Sequence, residues 1–245
     1  MSDHHWVTFH RLRFADIVPG IGREIAPAPG AEIWWLLPAM RLTEAGVPAF
    51  ASDVWGAMGV FGTEAEARAM FDDPAAHIPM MADAVDSWHA LAVPYAHHGA
   101  VHWRDGVETN SALRVSKTPP EGALAIVTSA GYDAPGFEAD KEAEQARRLR
   151  FAAGVMKVMD SFASDPGNLQ RDVVNGAAVD GRDGFTLSLW ADDAAMMAAA
   201  YKAGVHRSYL DEHKGREDGL FDRSCFTRLR IVDSHGDWPR SALAA

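Results

Sequence analysis

Eight stretches of the chain alternate apolar and polar residues with the two-residue period of a half-buried strand. In the first half they lie near Val7–Phe14, Glu32–Leu37, Val54–Phe61 and Trp88–Val93; in the second, near Leu124–Ala130, Gln170–Asn175, Phe185–Trp190 and Cys225–Val232. Between them the spacing changes to three and four residues, which predicts helices. One starts at Thr63, whose pairing with Glu66 is a capping box, and breaks at Pro74 before resuming. Another runs from about Glu138 to Ala163, with Ala146, Leu149, Ala153, Met156 and Met159 on one stripe. A third follows Asp192. A helix early in the first half is interrupted by Pro19, Gly20 and Gly22.

The pattern repeats. Phe61 is followed by acidic residues and, sixteen residues on, by His77; Trp190 is followed the same way by His206. "APGAEIWWLLPA" precedes the first copy and "DPGNLQRDVVNGA" the second, while "LAVPYAHHG" and "LRIVDSHG" follow them. Each copy reads as strand, helix, strand, strand, helix, strand, the split βαβ or ferredoxin-like unit. The expected fold is α+β: tandem ferredoxin-like βαββαβ repeats packed as a barrel of the dimeric-α/β-barrel type within one chain. The boundary falls between Lys117 and Gly122, where a double proline can continue neither helix nor central strand. It divides residues 1–118 from 119–245.

The chain has 245 residues and a formal net charge of −11. That balance argues against a nucleic-acid partner, which needs a basic stripe. No apolar run is long enough to span a bilayer, and the start, MSDHHWVTFH, lacks the apolar segment of a secretory leader. The single Cys225 excludes an internal disulfide and a multi-thiolate metal site. A cytoplasmic location is expected. Ten Met and eight Trp suit either ordinary core filling or a pocket for a flat, greasy ligand.

Chemistry-bearing motifs are few. There is no HExxH, P-loop, GxSxG elbow or zinc spacing. His4, His5 and His10 have no acidic neighbour in sequence, and His97 and His98, being adjacent, point apart in a strand. His206 is different. On the helix after Asp192, Met196, Ala199, Ala203 and His206 recur at spacings of three, four and three, a stripe of small residues and Met that leaves room beside it. A histidine facing that room presents a ring nitrogen to a metal or cofactor; alternatively it complements a helix dipole or is a satisfied core residue.

"FTLSLWADDAAMMAAAYKAGVHRSYLDEH" followed by "LFDRSCFTRLRI" resembles the C-terminal signature of the spheroidene monooxygenase family of carotenoid-modifying enzymes, and "VPYAHHGAVHWRDG" is similar to that family's Pro-x-x-Ser-His-Gly-x-Trp stretch. Leu229 and Ala96 depart from the family pattern. The resemblance implies a haem b protein that inserts oxygen into an apolar small molecule, with His206 as the axial iron ligand. Haem would lie between the helix carrying Met196, Ala199, Ala203 and His206 and the strand face of Thr186, Ser188 and Trp190. Ser188 is then the candidate distal hydroxyl and catalytic residue, and Arg228 and Arg230 the candidate propionate partners. An apolar substrate, an electron donor and a second copy of the chain are the candidate partners. Alternatives are another haem reaction such as aldoxime dehydration, a cofactor-free barrel monooxygenase, and a non-catalytic haem- or lipid-binding protein.

Overall fold

The computed structural model describes residues 3–16, 27–99, 113–132, 141–174, 184–201, 204–215 and 219–238. Its strands are β1 (Trp6–Arg13), β2 (Ala31–Leu42), β3 (Pro48–Phe61), β4 (Asp86–Gly99), β5 (Leu124–Gly131), β6 (Asn168–Val174), β7 (Gly184–Trp190) and β8 (Arg223–Gly236). The helices are α1 (Glu64–Asp72), α2 (Lys141–Phe162), α3 (Asp193–Tyr201) and α4 (Val205–Gly215). All eight strands join one closed antiparallel barrel in the order β1-β3-β2-β6-β7-β5-β8-β4. Within each half the order is fourth, first, third, second strand. The halves meet along β4–β8 and, by a single pair, Ala39 with Val174, along β2–β6. Among the described residues each strand has a paired neighbour on both sides, although β2 and β6 touch at one pair only.

Strand alternation sorts side chains into two layers. Phe9, Trp35, Met58, Val127, Phe185, Leu187 and Leu229 point inward into one apolar core shared by both halves. Trp35 and Phe185, one from each half, stack at 4.8 Å. Burying a side chain of this class contributes about 1.5–3 kcal/mol. The outward faces are covered by helices. Leu12, Trp34, Trp55 and Phe61 meet Ala67, Met70 and Phe71 of α1. Leu124, Ile126 and Trp190 meet Met156, Met159 and Phe162 of α2 and Met196 and Ala200 of α3.

Local sequence explains the elements. Thr63 caps α1, its hydroxyl accepting from the Glu66 N–H at 3.3 Å. Pro74 ends the helix, and two 3-10 turns, Pro74–Ala76 and Pro79–Asp83, follow. The strands run longer than the alternation predicts, chiefly β2, β3, β4 and β8. The early first-half helix, residues 138–140 and Asn175 lie outside the described residues.

The stripe on α2 is buried only towards its end: Ala146 and Leu149 are exposed, while Met156 and Met159, with Val158 and Phe162, are buried. The first half of α2 leans instead on the 219–222 segment, through Phe151 against Phe221 at 5.4 Å and Arg147 with Asp222. The helix after Asp192 is two helices: α3 ends at Tyr201 and α4 starts after Gly204. His206 therefore stands in the first turn of α4, not at the end of a continuous helix, because a regular apolar spacing carries no sign of a break where glycine permits one.

Candidate functional site

The layer between the outer face of β5–β7–β8 and helices α2–α4 holds most of the sequence-derived site. Thr186, Ser188 and Trp190 share this face, while Phe185, Leu187 and Leu189 turn into the barrel core. The His206 ring sits 6.1 Å from Phe162 and 6.4 Å from Tyr201, centroid to centroid. Its Nδ1–H donates to the Ala200 carbonyl at 2.6 Å. A carbonyl only accepts, so the bond fixes the proton on Nδ1 and leaves Nε2 with the lone pair when the ring is neutral. Ala200 is one residue from the end of α3, and its carbonyl is among those a helix leaves unsatisfied; His206 thus also caps α3.

Phe162 and Tyr201 are the aromatic rings nearest the imidazole among the described residues. Met196 and Ala200 are buried and Ala199 is half-buried; Ala203 lies outside the described residues. Trp190 is fully buried and packs edge-on against Phe162 at 5.0 Å. Its indole N–H donates to Ser188 Oγ at 2.9 Å, which leaves the Ser188 hydroxyl its own proton to donate.

Arg228 and Arg230 share a face of β8, and both are committed to Asp193 at the start of α3, at 3.2 and 2.5 Å. The Tyr95 hydroxyl adds a third bond to the same carboxylate at 2.6 Å. Burial pushes the Asp193 carboxyl up, but the Tyr95 hydrogen bond and the two guanidiniums outweigh it and hold it below the usual carboxylate range. Tyr95 is pushed up to about 12, first by burial and then by its bond to Asp193. The cluster pins α3 to the sheet.

A second cluster escapes sequence reasoning. Register places His10 of β1 opposite His89 of β4, and His89 opposite His235 of β8, so three histidines cross three adjacent strands. His10 and His89 are buried, their Nδ1 atoms 2.8 Å apart, so one imidazole donates to the other. His89 Nε2 meets Ser87 Oγ at 2.9 Å, and His235 Nε2–H donates to the Phe71 carbonyl at 3.1 Å. Burial holds both the His10 and His89 pKa values down, His10 well below its ordinary value and His89 to about 4, with neighbouring histidines adding to the effect. His10, which has no acidic neighbour in sequence, is thus partnered by a histidine that the fold brings from β4. His5 too is buried, between Glu32 at 3.3 Å and the Arg114 N–H. His77, the sequence counterpart of His206, is half-buried after the first 3-10 turn. Among the described residues no group of three His, Cys, Asp or Glu side chains is placed to hold a metal ion.

The third feature is inside one end of the barrel. Arg11 and Asp172, both nearly buried, pair at 3.1 Å, and Arg41 adds 2.6 Å to Asp172. The Arg11 guanidinium lies over the Trp238 ring at 5.4 Å, and Trp238 packs on Trp88 at 4.9 Å.

No protein-family model matches the chain, and no curated protein does. Solved structures do. An aldoxime dehydratase in complex with butyraldoxime superposes with a TM-score of 0.57 at 10% identity, over 97% of this chain and 83% of that one. A monooxygenase candidate from Fusobacterium nucleatum has a TM-score of 0.39 at 10% identity, over 97% and 96%. An anthrone oxidase-like protein has 0.32 at 11%, over 99% and 97%. The first shares this chain's fold; the other two are too divergent to carry an argument. The likeness to the spheroidene monooxygenase family rests on its sequence motifs.

Among the described residues no helix is long and apolar enough to cross a membrane.

Proposed function

We propose that this chain is a haem b enzyme acting on a small apolar molecule, with His206 as the axial iron ligand. The observation that carries the reading is the bond from His206 Nδ1–H to the Ala200 carbonyl. It orients the ring and raises the basicity of Nε2, as partners on the far nitrogen do for metal-bound histidines. The surrounding Met196, Ala199, Phe162 and Trp190 supply an apolar wall. Phe162 and Trp190 touch, so seating a macrocycle there requires α2 to move off the sheet at that contact. Bound haem supplies an iron centre for oxygen activation or for redox-neutral dehydration.

The chain's own residues have distinct parts. Ser188 would donate its hydroxyl proton from the sheet side, a role supported by the Trp190 indole N–H that holds its oxygen in orientation. Arg228 and Arg230 serve propionates only by sharing them with Asp193. We read residues 1–118 and 119–245 as two copies of one ferredoxin-like unit, with the site in the second copy. A soluble cytoplasmic protein that pairs with a second copy, and with an electron donor if oxygen is inserted, completes the proposal.

Two reactions compete. The sequence motifs favour oxygen insertion. The fold shared with an aldoxime dehydratase favours loss of water from an aldoxime, which needs no external electrons. The test is a hemin titration followed by two assays on the loaded protein: oxygen consumption with a reductant and an apolar substrate, and nitrile formation from butyraldoxime. A saturating Soret band with one activity supports the proposal and selects the reaction. A protein that gains no Soret band contradicts it.

A further inference from the structure

The histidines crossing β1, β4 and β8 lie away from the proposed haem site. Phe9 points into the barrel core, so His10 points outward with Leu12, onto the face that Ala67, Met70, Phe71 and Ile78 cover. His89 lies beside His10, and His235 beside His89, the last two rings 4.8 Å apart between centroids. The line ends on α1. His235 Nε2–H donates to the Phe71 carbonyl, and its ring packs edge-on against Phe71 at 4.8 Å.

A positive charge finds no counter-ion in this layer. The groups acting on His10 are His89, His235 and His77, and the group acting on His89 is His235. The carboxylates of the covering elements are engaged elsewhere or exposed. Asp233 of β8 and Glu64 of α1 both face Arg68, at 3.8 and 2.9 Å. Glu66 holds the Thr63 hydroxyl, Asp73 accepts from the Ala76 N–H, and Asp72 and Asp83 are exposed.

The hydrogen bonds also suit neutral rings alone. A charged His10 carries a proton on Nε2, which is buried and has no acceptor among the described residues. With His10 and His89 both charged, two N–H groups would face each other across 2.8 Å and their bond would be lost. Removing α1 and the turns over 74–83 would give both rings water. It would leave the pairing of β1 with β3 and β4, and of β4 with β8, in place.

We propose that His10, His89 and His235 form an acid-released latch, which lets α1 and the 74–83 turns leave the outer face of the barrel while the barrel stays closed. Burial holds His10 and His89 neutral, so the docked state is fully favoured above the ordinary histidine value of about 6.5. It weakens as pH falls from there toward the folded values, about 4 for His89. His235 keeps its N–H on Phe71 when charged, and so adds repulsion rather than a broken bond.

The test is hydrogen–deuterium exchange of the full chain at pH 7 and pH 5, read by mass spectrometry and corrected for intrinsic rates. Protection over residues 64–83 should fall by about thirtyfold for each buried histidine, tenfold per pH unit below about 6.5. Peptides from β5 and β7 should keep theirs. The double variant His10→Leu, His89→Leu should hold the 64–83 protection within about threefold between the two pH values. If it does not fold, His89→Gln alone should recover about thirtyfold at pH 5. Equal loss over 64–83 and the barrel strands, meaning global unfolding, overturns the proposal. So does unchanged protection at pH 5, or a loss that persists in full in the folded variants.

Discussion

His206 and Ala200 join two helices through one hydrogen bond: the imidazole at the start of α4 closes the carboxyl end of α3, at 2.6 Å. The same bond that satisfies the backbone leaves Nε2 as the ring nitrogen to which the iron-ligand role is proposed. The structural bond and the proposed ligand role use opposite edges of one ring, and substitution separates them. His206→Gln retains a donor for the Ala200 carbonyl but loses the imidazole Nε2. It should lose less stability than His206→Ala, by about 1 kcal/mol, the worth of one helix-end hydrogen bond. Thermal denaturation of both apoproteins checks this, and equal losses would show that the bond contributes nothing to the fold.

Asp193 ties α3 to β4 and β8 through Tyr95, Arg228 and Arg230. Asp193→Asn should cost about 1–2 kcal/mol at neutral pH, more than an isolated surface pair because one carboxylate serves three partners. The folded-state pKa is depressed. Its contribution is therefore present above the unfolded carboxylate value, about 3.9, and is lost as pH falls through the folded value. Urea denaturation across that range should show a smaller acid loss for Asp193→Asn than for the native chain. Parallel curves would refute the assignment.

His10 and His89 are held uncharged by burial, His89 with a pKa of about 4. The unfolded chain takes up their protons near pH 6.5, before the folded chain does, so stability must fall as pH drops below that value and keep falling until the folded groups titrate. The slope is about 1.4 kcal/mol per pH unit for each such histidine. His89→Gln should flatten the acid limb of a stability–pH curve by about that slope between pH 6 and pH 4. An unchanged limb would mean that the histidines crossing β1, β4 and β8 are not held neutral.

Gly154 of α2 sits where a Cβ would collide with the Tyr209 ring of α4, whose hydroxyl bonds the Phe151 carbonyl at 3.1 Å. Ala is the better helix former by about 1 kcal/mol, yet Gly154→Ala should destabilise by about 1–3 kcal/mol through overpacking. Combined with Tyr209→Ala the loss should be less than additive. A stabilised Gly154→Ala protein would mean α2 and α4 are not packed this closely.

Much of the fold is legible along the chain because strand alternation is local. All eight strands are visible, and Thr63 and Pro74 announce the start and end of α1. A barrel is expected from the repeat of two ferredoxin-like units, but the pairs that close it are not legible, because β4 meets β8 across the two halves, a pairing no local pattern encodes. The face shared by Thr186, Ser188 and Trp190 is readable from the period of two. The break before α4 is not, since Met196, Ala199, Ala203 and His206 keep helical spacing across Gly204. The His10–His89–His235 line needs three strands in register, so no single segment reveals it; the available signal is that His10 and His89 occupy outward positions in their own strands.

The axial role of His206 is tested most directly by replacing it with glycine and supplying imidazole. The account predicts that His206→Gly loaded with hemin has an altered Soret band, and that added imidazole restores the native absorption spectrum by coordinating iron in the space the side chain left. A His206→Gly protein with the native spectrum before imidazole is added would place the ligand elsewhere and contradict the account.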